Sequence, residues 1–223
     1  WVKDKDCLME NNDFDIVVIG SGVIGHSIAF RLKQDDPQLK IAVLGDPVNS
    51  LQASRAAAGM LAPFCECDKA DRFFKFCRES LDKFPEFLRE LVSVSEVPVH
   101  FSIEGSLMPS SSYREAWEER KVFFAEEDIP HEVWSSDKVR QKAPYLSDNC
   151  GEVMWVREGQ VNNRQMHDAL IQASRNLGNH VLEANVSGFI RKGSTLASAV
   201  TDSGNINGGQ FVLASGSWSS QLA

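Results

Sequence analysis

A chain of 223 residues with 43% hydrophobic residues is long enough to bury one large core or two modest ones, and it predicts a globular fold. Its 23 Lys and Arg residues against 31 Asp and Glu residues give a net charge of −8, so we expect no nucleic acid and no anionic membrane surface as a partner. No apolar segment reaches the ~20 residues of a membrane helix and the first residues contain no signal-peptide core, so a cytoplasmic protein is expected.

The first long apolar segment predicts a buried strand that turns directly into a helix. The run Ile16–Ile19 is typical of a strand covered on both faces, and apolar residues then recur at helical spacing over Val23–Leu32. Between them, Gly20, Gly22 and Gly25 form GxGxxG, the pattern of a dinucleotide-binding turn. We expect the first glycine to make the tight turn, the second to admit a pyrophosphate, and the third to let helix and strand pack closely. The free N–H groups of the helix would face the phosphates.

A second buried strand over Lys40–Leu44 would complete a βαβ unit. Proteins with this pattern carry an acid for the ribose hydroxyls about 20 residues beyond the last glycine, and Gly45 and Asp46 occupy that place. Asp46 is therefore the candidate ribose ligand. Because Pro47 follows it, an ordinary turn carboxylate is the alternative interpretation.

The segment Ser54–Pro63 (SRAAAGMLAP) is rich in small residues and has two interpretations. It is either the tightly packed start of a helix or a place where backbone presses against a flat ligand, since only alanine and glycine leave room for one. Arg55 within it would either meet a phosphate or be solvated.

The middle of the chain lacks the βαβ rhythm and predicts a separate, mixed layer. Its expected elements are a helix over Lys69–Val92, strands around Gly105, a helix over Tyr113–Asp128 with Trp117, Val122 and Phe124 buried, and a short helix over Ser136–Lys142.

The last third predicts a return to the nucleotide-binding domain. Its expected elements are a strand over Glu152–Val156, a helix over Arg164–Leu177, a small meander of strands over Val181–Leu182, Val186–Ile190 and Leu196–Val200, and a buried strand over Gln210–Ala214. That final strand runs into the small-residue loop Ser215–Trp218, at the strand end where ligands bind in open α/β sheets.

These elements predict four consecutive parts. They are an N-terminal extension over 1–12, with Met9 as a candidate natural start, a first part of the nucleotide-binding domain over 13–66, a segment of the mixed layer with helices over 67–150, and a second part of the nucleotide-binding domain over 151–223.

Cysteine and histidine spacing predicts no disulfide framework and no metal site. The five cysteines (Cys7, Cys65, Cys67, Cys77 and Cys150) are an odd number at irregular spacing, so we expect reduced thiols. The five histidines make no metal-ligand pattern, and each is expected to be structural or exposed.

Four segments together resemble the D-amino-acid-oxidase superfamily of flavoproteins, in particular its glycine oxidase branch linked to thiamine synthesis. They are IVVIGSGVIGHSIAFRL at Ile16–Leu32, SRAAAGMLAP at Ser54–Pro63, ECDKADRFFKFC at Glu66–Cys77 and VLASGSWSS at Val212–Ser220. The resemblance implies an α/β fold: a Rossmann-like FAD-binding domain with a central parallel sheet, plus an inserted, mixed α+β substrate layer. Members continue well beyond the GSWS loop, so the C-terminal part of the family fold, with the arginine that grips the substrate carboxylate, is expected to be missing.

The resemblance also implies which residues bind FAD. Beyond the glycine turn they are Val23 and Ile24 at the AMP half through backbone, Gly45 and Asp46 at the ribose, Ser54, Ala58, Gly59 and Met60 along the pyrophosphate and flavin, Val186 at the adenine, and Gly216 and Trp218 in the second loop. Arg55 is kept as a candidate cofactor-binding residue because it could meet a phosphate. The family usually has Glu or Asp where Gly45 stands, so ribose binding must shift to Asp46 or weaken. A branch with covalent flavin has histidine where this chain has Ala56, so non-covalent FAD is expected.

For an intact relative, the resemblance implies oxidation of a small amino acid (glycine, sarcosine or a D-amino acid) to its imine by hydride transfer to flavin, with oxygen giving hydrogen peroxide. No side chain is nominated as catalytic. The alternatives are a truncated or partner-dependent FAD-binding fragment without activity of its own and, less favoured, an NAD-dependent dehydrogenase. The sequence leaves a homo-oligomer open.

Overall fold

The computed structural model describes residues 13–46 and 52–222, so the expected extension over 1–12 lies outside the described residues. The strands are β1 (Asp13–Ile19), β2 (Ile41–Leu44), β3 (Met60–Leu61), β4 (Phe101–Ser102), β5 (Ser106–Pro109), β6 (His131–Trp134), β7 (Val153–Val156), β8 (Gly159–Val161), β9 (His180–Leu182), β10 (Val186–Lys192), β11 (Thr195–Thr201) and β12 (Gly204–Leu213). The α-helices are α1 (Val23–Asp35), α2 (Ala53–Ala56), α3 (Pro63–Glu66), α4 (Arg72–Ser95), α5 (Ser110–Tyr113), α6 (Trp117–Glu126), α7 (Ser136–Lys142) and α8 (Asn163–Asn176). Short 3₁₀ turns lie at Arg114–Ala116, Asp148–Cys150 and Gly216–Gln221.

The chain divides into two compact units. Described residues of the first unit fall within Trp1–Ala57, Glu90–Val99 and Asn163–Ala223, and those of the second fall within Ala58–Arg89 and His100–Asn162. The four-part division drawn from the sequence stays a prediction.

A six-stranded sheet in the order β10-β11-β12-β1-β2-β9 forms the centre of the first unit. Strands β12, β1, β2 and β9 run parallel, whereas β10, β11 and β12 are joined as antiparallel neighbours. In the parallel part, Ile16 of β1 lies opposite Ile41 on one side and Gln210 on the other. The expected central parallel sheet is thus confirmed, with an antiparallel ribbon at one edge.

Strand β1 is buried on both faces because its alternate side chains point to opposite sides of the sheet. Val17 and Ile19 contribute to one apolar cluster, while Ile16 and Val18 pack with Ala29 of α1 in another. This packing presses α1 against the sheet and thereby sets the position of the turn that joins it to β1.

The expected meander is wrong for its first strand. Strand β9 pairs in parallel with β2, with Val181 opposite Val43, at the sheet edge far from β10. It follows the 14-residue helix α8, and a helix of that length provides the crossover that parallel pairing requires. The sequence prediction placed β9 in one meander with β10 and β11, but the preceding helix decides the direction of β9.

The second unit contains two three-stranded sheets in the orders β3-β8-β4 and β5-β7-β6, paired antiparallel throughout. Its main core includes Phe74, Trp117, Phe124 and Met154, so the expected mixed layer is confirmed. Val122 was expected inside this core but is 54% exposed. Residues 117 and 124 lie two turns apart on one helix face, and a residue five positions after the first points to the other face.

Within the residues that the structure describes, no helix is long and apolar enough to cross a membrane, and no cluster of His, Cys, Asp and Glu side chains is arranged to hold a metal ion. Cys65, Cys67, Cys77 and Cys150 are free thiols, and Cys7 lies outside the described residues.

Candidate cofactor site

A cleft of about 660 Å³ opens in the first unit where its parallel strands end. Residues at or just beyond the carboxyl ends of β1, β2, β9 and β12 line it, namely Ile19, Gly20, Leu44, Gly45, Glu183, Ala214 and Ser215. Ligands of open α/β sheets bind at this edge, because the strand ends and helix starts meet there.

The glycine turn at this edge is closely packed at two of its three glycines. A Cβ on Gly20, whose φ is +121°, would lie 2.2 Å from the carbonyl oxygen of Ala214, and a Cβ on Gly25 would lie 1.9 Å from the Gly20 oxygen. A Cβ on Gly22 would meet only the Ser54 hydroxyl, at 3.0 Å. Gly20 and Gly25 are therefore required for packing, whereas Gly22 keeps its free side toward the cleft that it lines.

Helix α1 begins at this turn and presents its positive end to the cleft. Gly22 precedes the helix without a side-chain cap, and the Val23 N–H donates a 2.9 Å hydrogen bond to the Ser54 Oγ. Among the described residues that line the cleft there is no Lys, Arg or His, and the acidic ones are Asp46, Glu183 and Asp202. An anion at this end would therefore be held by backbone N–H groups and the helix dipole.

The place after β2 where an acid is expected holds a glycine with a positive φ, followed by an acid. Gly45 has a φ of +145° and its N–H donates to the Leu182 oxygen at 3.1 Å. Asp46 lines the cleft, and its backbone oxygen accepts a hydrogen bond from the Gln52 Nε2. Asp46 directly follows Gly45, the position at which the resemblance implies an acid, and Pro47 lies outside the described residues.

The far end of the cleft is built around the loop between β9 and β10. The Asn185 N–H donates to the Asp202 carboxylate at 3.1 Å, which ties the loop to the β11–β12 turn beside Val186. Gly216 and Trp218 also line the cleft, and the Trp218 side chain is 51% exposed. The structure thus brings both ends of the expected site into one cleft.

Six of the expected site residues do not line this cleft. The Arg55 guanidinium points to α8, where it forms a 2.6 Å ion pair with Asp168. Ala58, Gly59 and Met60 lie in the second unit, where the Gly59 oxygen accepts from the Val161 N–H at 2.9 Å. Val23 and Gly25 do not line it either. They lie in the first turn of α1, whose neighbours Gly22 and Ile24 do line the cleft.

Two buried histidines lie beneath the glycine turn. His26 Nε2 is 2.9 Å from the Ser21 Oγ and its Nδ1 is 3.0 Å from the Ser174 Oγ, while His167 Nε2 is 2.8 Å from the Ser21 backbone oxygen. Burial, His167 and Arg175 together lower the pKa of His26 to about 3. Burial also lowers the pKa of His167, so both rings are neutral near pH 7.

Sequence reasoning missed several polar residues of the cleft. They are Ser21, Gln52, Glu183, Asn185 and Asp202. Glu183 and Asn185 could have been predicted, because residues that follow the carboxyl end of a parallel strand face the ligand-binding edge of the sheet. They were missed because β9 was assigned to the meander and not to the parallel sheet. No local signal links His26 to His167, which are 141 positions apart in the sequence.

The residues present fit the adenosine and pyrophosphate part of a dinucleotide. The side of Gly22 that a Cβ would occupy is open apart from one hydroxyl, the helix end supplies N–H donors, and the acidic residue Asp46 lines the same cleft. The cleft volume is within the range of small-molecule sites, about 300–1,000 Å³.

Comparisons with known proteins agree with this architecture. The chain is 29% identical to the bifunctional protein ThiO/ThiG of Synechocystis over 93% of its length and 30% of that protein. It is 26% identical to the glycine oxidase of Bacillus subtilis over 92% of its length and 55% of that enzyme. The crystal structure of glycine oxidase from Geobacillus kaustophilus superposes with a TM-score of 0.87 at 22% identity, covering 95% of this chain and 58% of that one.

The chain therefore spans little more than half of these relatives at most. A family model of FAD dependent oxidoreductases (DAO) matches residues 15–223, which includes the glycine turn, the small-residue segment and the loop after β12. With this match over nearly the whole chain, the protein belongs to the DAO family of FAD-dependent oxidoreductases.

Proposed function

We propose that the first unit binds FAD without a covalent bond and places the adenosine and pyrophosphate part in the cleft. The observation that supports this most directly is the glycine turn: Gly22 opens onto the cleft at the positive end of α1, with no cationic side chain among the described lining residues. A pyrophosphate is the anion that such a turn accommodates, because backbone N–H groups reach it at close range.

The remaining expected contacts are proposals of the same kind. Asp46 would accept hydrogen bonds from the ribose hydroxyls, Val23 and Ile24 would contact the AMP half through backbone, and Val186 would border the adenine. Ser54, Gly216 and Trp218 would flank the pyrophosphate and the flavin side. Arg55 would act on the site through its contact with α8. For Ala58, Gly59 and Met60 we propose a place along the flavin.

We further propose that the intact protein oxidises a small amino acid, of which glycine, sarcosine and D-amino acids are the candidates. Support comes from relatives named glycine oxidase, one of them 26% identical to this chain. Bound FAD would supply the hydride acceptor. The residues of this chain would bind and orient the cofactor, and we assign none of them as acid, base or nucleophile. A cytoplasmic location stays a prediction from the sequence.

FAD binding is tested by titrating the purified chain with FAD and, separately, with NAD. We expect quenching or a spectral shift of the flavin, saturation at one FAD per chain, and release of the flavin on denaturation in acid. NAD is expected to give no saturable signal. Saturable NAD binding without FAD binding would overturn the cofactor assignment.

The substrate proposal is tested by mixing the flavin-loaded protein anaerobically with glycine, sarcosine and D-alanine. We expect the flavin absorption near 450 nm, a general property of oxidised flavins, to bleach with at least one of them, and admission of oxygen to yield hydrogen peroxide. A flavin spectrum that none of the three amines changes would reject activity of this chain and favour a binding fragment.

A further inference from the structure

Ser21, the residue between the first two glycines of the turn, contacts a buried histidine through each of its two oxygens. Ser21 is buried, its Oγ lies 2.9 Å from His26 Nε2, and its backbone oxygen lies 2.8 Å from His167 Nε2. Because Ser21 also lines the cleft, the same residue contacts the buried network on one side and the proposed pyrophosphate site on the other.

The chemistry of the partners fixes the proton positions on one of the two rings. A backbone oxygen only accepts, so His167 must carry its proton on Nε2, and the ring is neutral with an accepting Nδ1. Arg55 Nη1 lies 3.5 Å from that Nδ1, and Arg55 is in turn held by Asp168. On the other ring, His26 lies between the hydroxyls of Ser21 and Ser174, which can each donate or accept.

We propose that His26 and His167 are positioning residues that hold Ser21, and with it the turn Gly20–Gly22, in the shape that receives the pyrophosphate of the cofactor. This inference rests on the proposed function of the cleft. It assigns the two imidazoles to phosphate binding through Ser21, although neither ring lines the cleft.

If His26 and His167 only filled space in the core, their ring nitrogens would not each need a polar partner. Both rings are fully buried, yet each of the four nitrogens has a polar atom within 3.5 Å, and the chain of contacts runs from Ser174 through Ser21 to Asp168. Buried polar groups are costly unless they are paired, so a network of this kind favours one arrangement of the turn over others.

The test uses two substitutions of His26 that carry the same side-chain amide on side chains of different length. In His26→Gln the side-chain amide extends to the position of Nε2 and can still meet the Ser21 hydroxyl, whereas in His26→Asn it extends only to the position of Nδ1 and meets Ser174. Dissociation constants are measured by calorimetry for FAD, for ADP, which carries the pyrophosphate, and for adenosine, which carries no phosphate. The unfolding free energy of each cofactor-free variant is measured in urea.

We expect His26→Asn to weaken FAD and ADP by about tenfold each, the effect of one lost hydrogen bond, and to leave adenosine within about twofold. His26→Gln is expected to bind all three within about threefold of the unaltered protein. His131→Asn, in the second unit, is the control for a histidine substitution outside the network. The same pair of substitutions at His167 should repeat the pattern, because its Nε2 also meets Ser21.

Three outcomes would overturn the inference. If His26→Asn weakens adenosine as much as ADP, the histidine supports the cleft in general and not the phosphate turn. If neither His26→Asn nor His167→Asn changes ADP binding, the rings do not position the turn. If the unaltered protein binds neither FAD nor ADP, the proposed function fails and this inference fails with it. The first two outcomes leave the proposed function intact.

Discussion

A Cβ on Gly45 would lie 3.0 Å from both the Cβ and the backbone nitrogen of Ser21, so a side chain at this position would crowd the glycine turn. Relatives in the family usually carry an acid here, as the resemblance implies. In this chain the φ of +145° and the closeness of Ser21 disfavour one, and the next residue, Asp46, is an acid that lines the cleft.

Restoring the family's acid should therefore be harmful. We expect Gly45→Glu to lower the free energy of unfolding by about 1–3 kcal/mol, because the backbone conformation is unfavourable for any side chain and Ser21 must move. FAD affinity should fall as well, since the displaced residue belongs to the turn. Urea unfolding and FAD titration of the variant measure both effects. Unchanged stability together with tighter FAD binding would contradict the steric explanation.

Asp46→Asn tests whether this carboxylate has taken over the ribose. Removing the charge should weaken FAD binding by about 1.5–3 kcal/mol, which is the range for hydrogen bonds to charged groups. The unfolding free energy should change by less than about 0.5 kcal/mol, because a substitution away from the core usually has a small effect. Asp35→Asn, at the other end of α1, is the matched control. Equal FAD affinity of Asp46→Asn and the unaltered protein would make Asp46 an ordinary turn residue.

The glycines of the turn should separate binding from folding. Gly25→Ala places a Cβ 1.9 Å from a backbone oxygen, so we expect loss of most folded protein, measured as loss of the cooperative urea transition. Gly22→Ala meets only the Ser54 hydroxyl, at 3.0 Å, so we expect a stable protein whose FAD affinity falls at least about tenfold because the new methyl group faces the cleft. Normal FAD binding by Gly22→Ala would exclude close approach of a pyrophosphate to this residue.

Local patterns predicted the parts of the site that are continuous in the sequence. The apolar run Ile16–Ile19, the three glycines and the start of α1 follow one another within a dozen residues, so periodicity and spacing suffice. Strand β12 shows the limit of this reasoning: it begins at Gly204, although glycine and asparagine disfavour strands, because β11 pairs with its first residues. The pairing partner, not the local propensity, decides where β12 starts.

Tertiary contacts supplied the rest of the site. Ser21 bounds the space beside Gly45, 24 positions later in the sequence, and the orientation of Arg55 follows from its ion pair with Asp168, more than a hundred residues away. The sequence offered phosphate or solvent as the surroundings of Arg55, and the structure gives a third, α8. Such long-range pairs carry no periodic signal, so a single sequence does not reveal them.

The buried histidines should make the first unit sensitive to acid. His26 has a pKa of about 3 in the folded chain, against 6.5 for an unperturbed histidine. Between these two pH values the unfolded chain therefore binds a proton at His26 and the folded chain does not. The contribution of neutral His26 to the free energy of unfolding is fully present above pH 6.5. It is lost as the pH falls from 6.5 toward 3, by about 1 kcal/mol per pH unit. The charged groups near this pair are Arg175, Arg55 and Asp168.

Urea unfolding at pH 7.5, 6.5, 5.5 and 4.5 measures this dependence, and His26→Gln provides the comparison because it removes the titrating group. Below pH 6.5, we expect the free energy of unfolding of the variant to fall by about 1 kcal/mol less per pH unit than that of the unaltered protein. Parallel pH profiles of the two proteins would mean that His26 has the same pKa in the folded chain as in the unfolded chain.

In the second unit, the carboxyl of Glu158 holds the start of α3, and its loss should be costly. The side chain is 1% exposed, and its Oε1 accepts from the N–H groups of Phe64 and Cys65 at 2.6 and 2.8 Å. Glu158→Ala leaves both donors without this acceptor, so we expect a loss of about 2–4 kcal/mol in the free energy of unfolding. Glu158→Gln keeps one acceptor oxygen and should lose less. Glu86→Ala, exposed on α4, is the control, and a loss no larger than that control's would show that Glu158 does not stabilise α3.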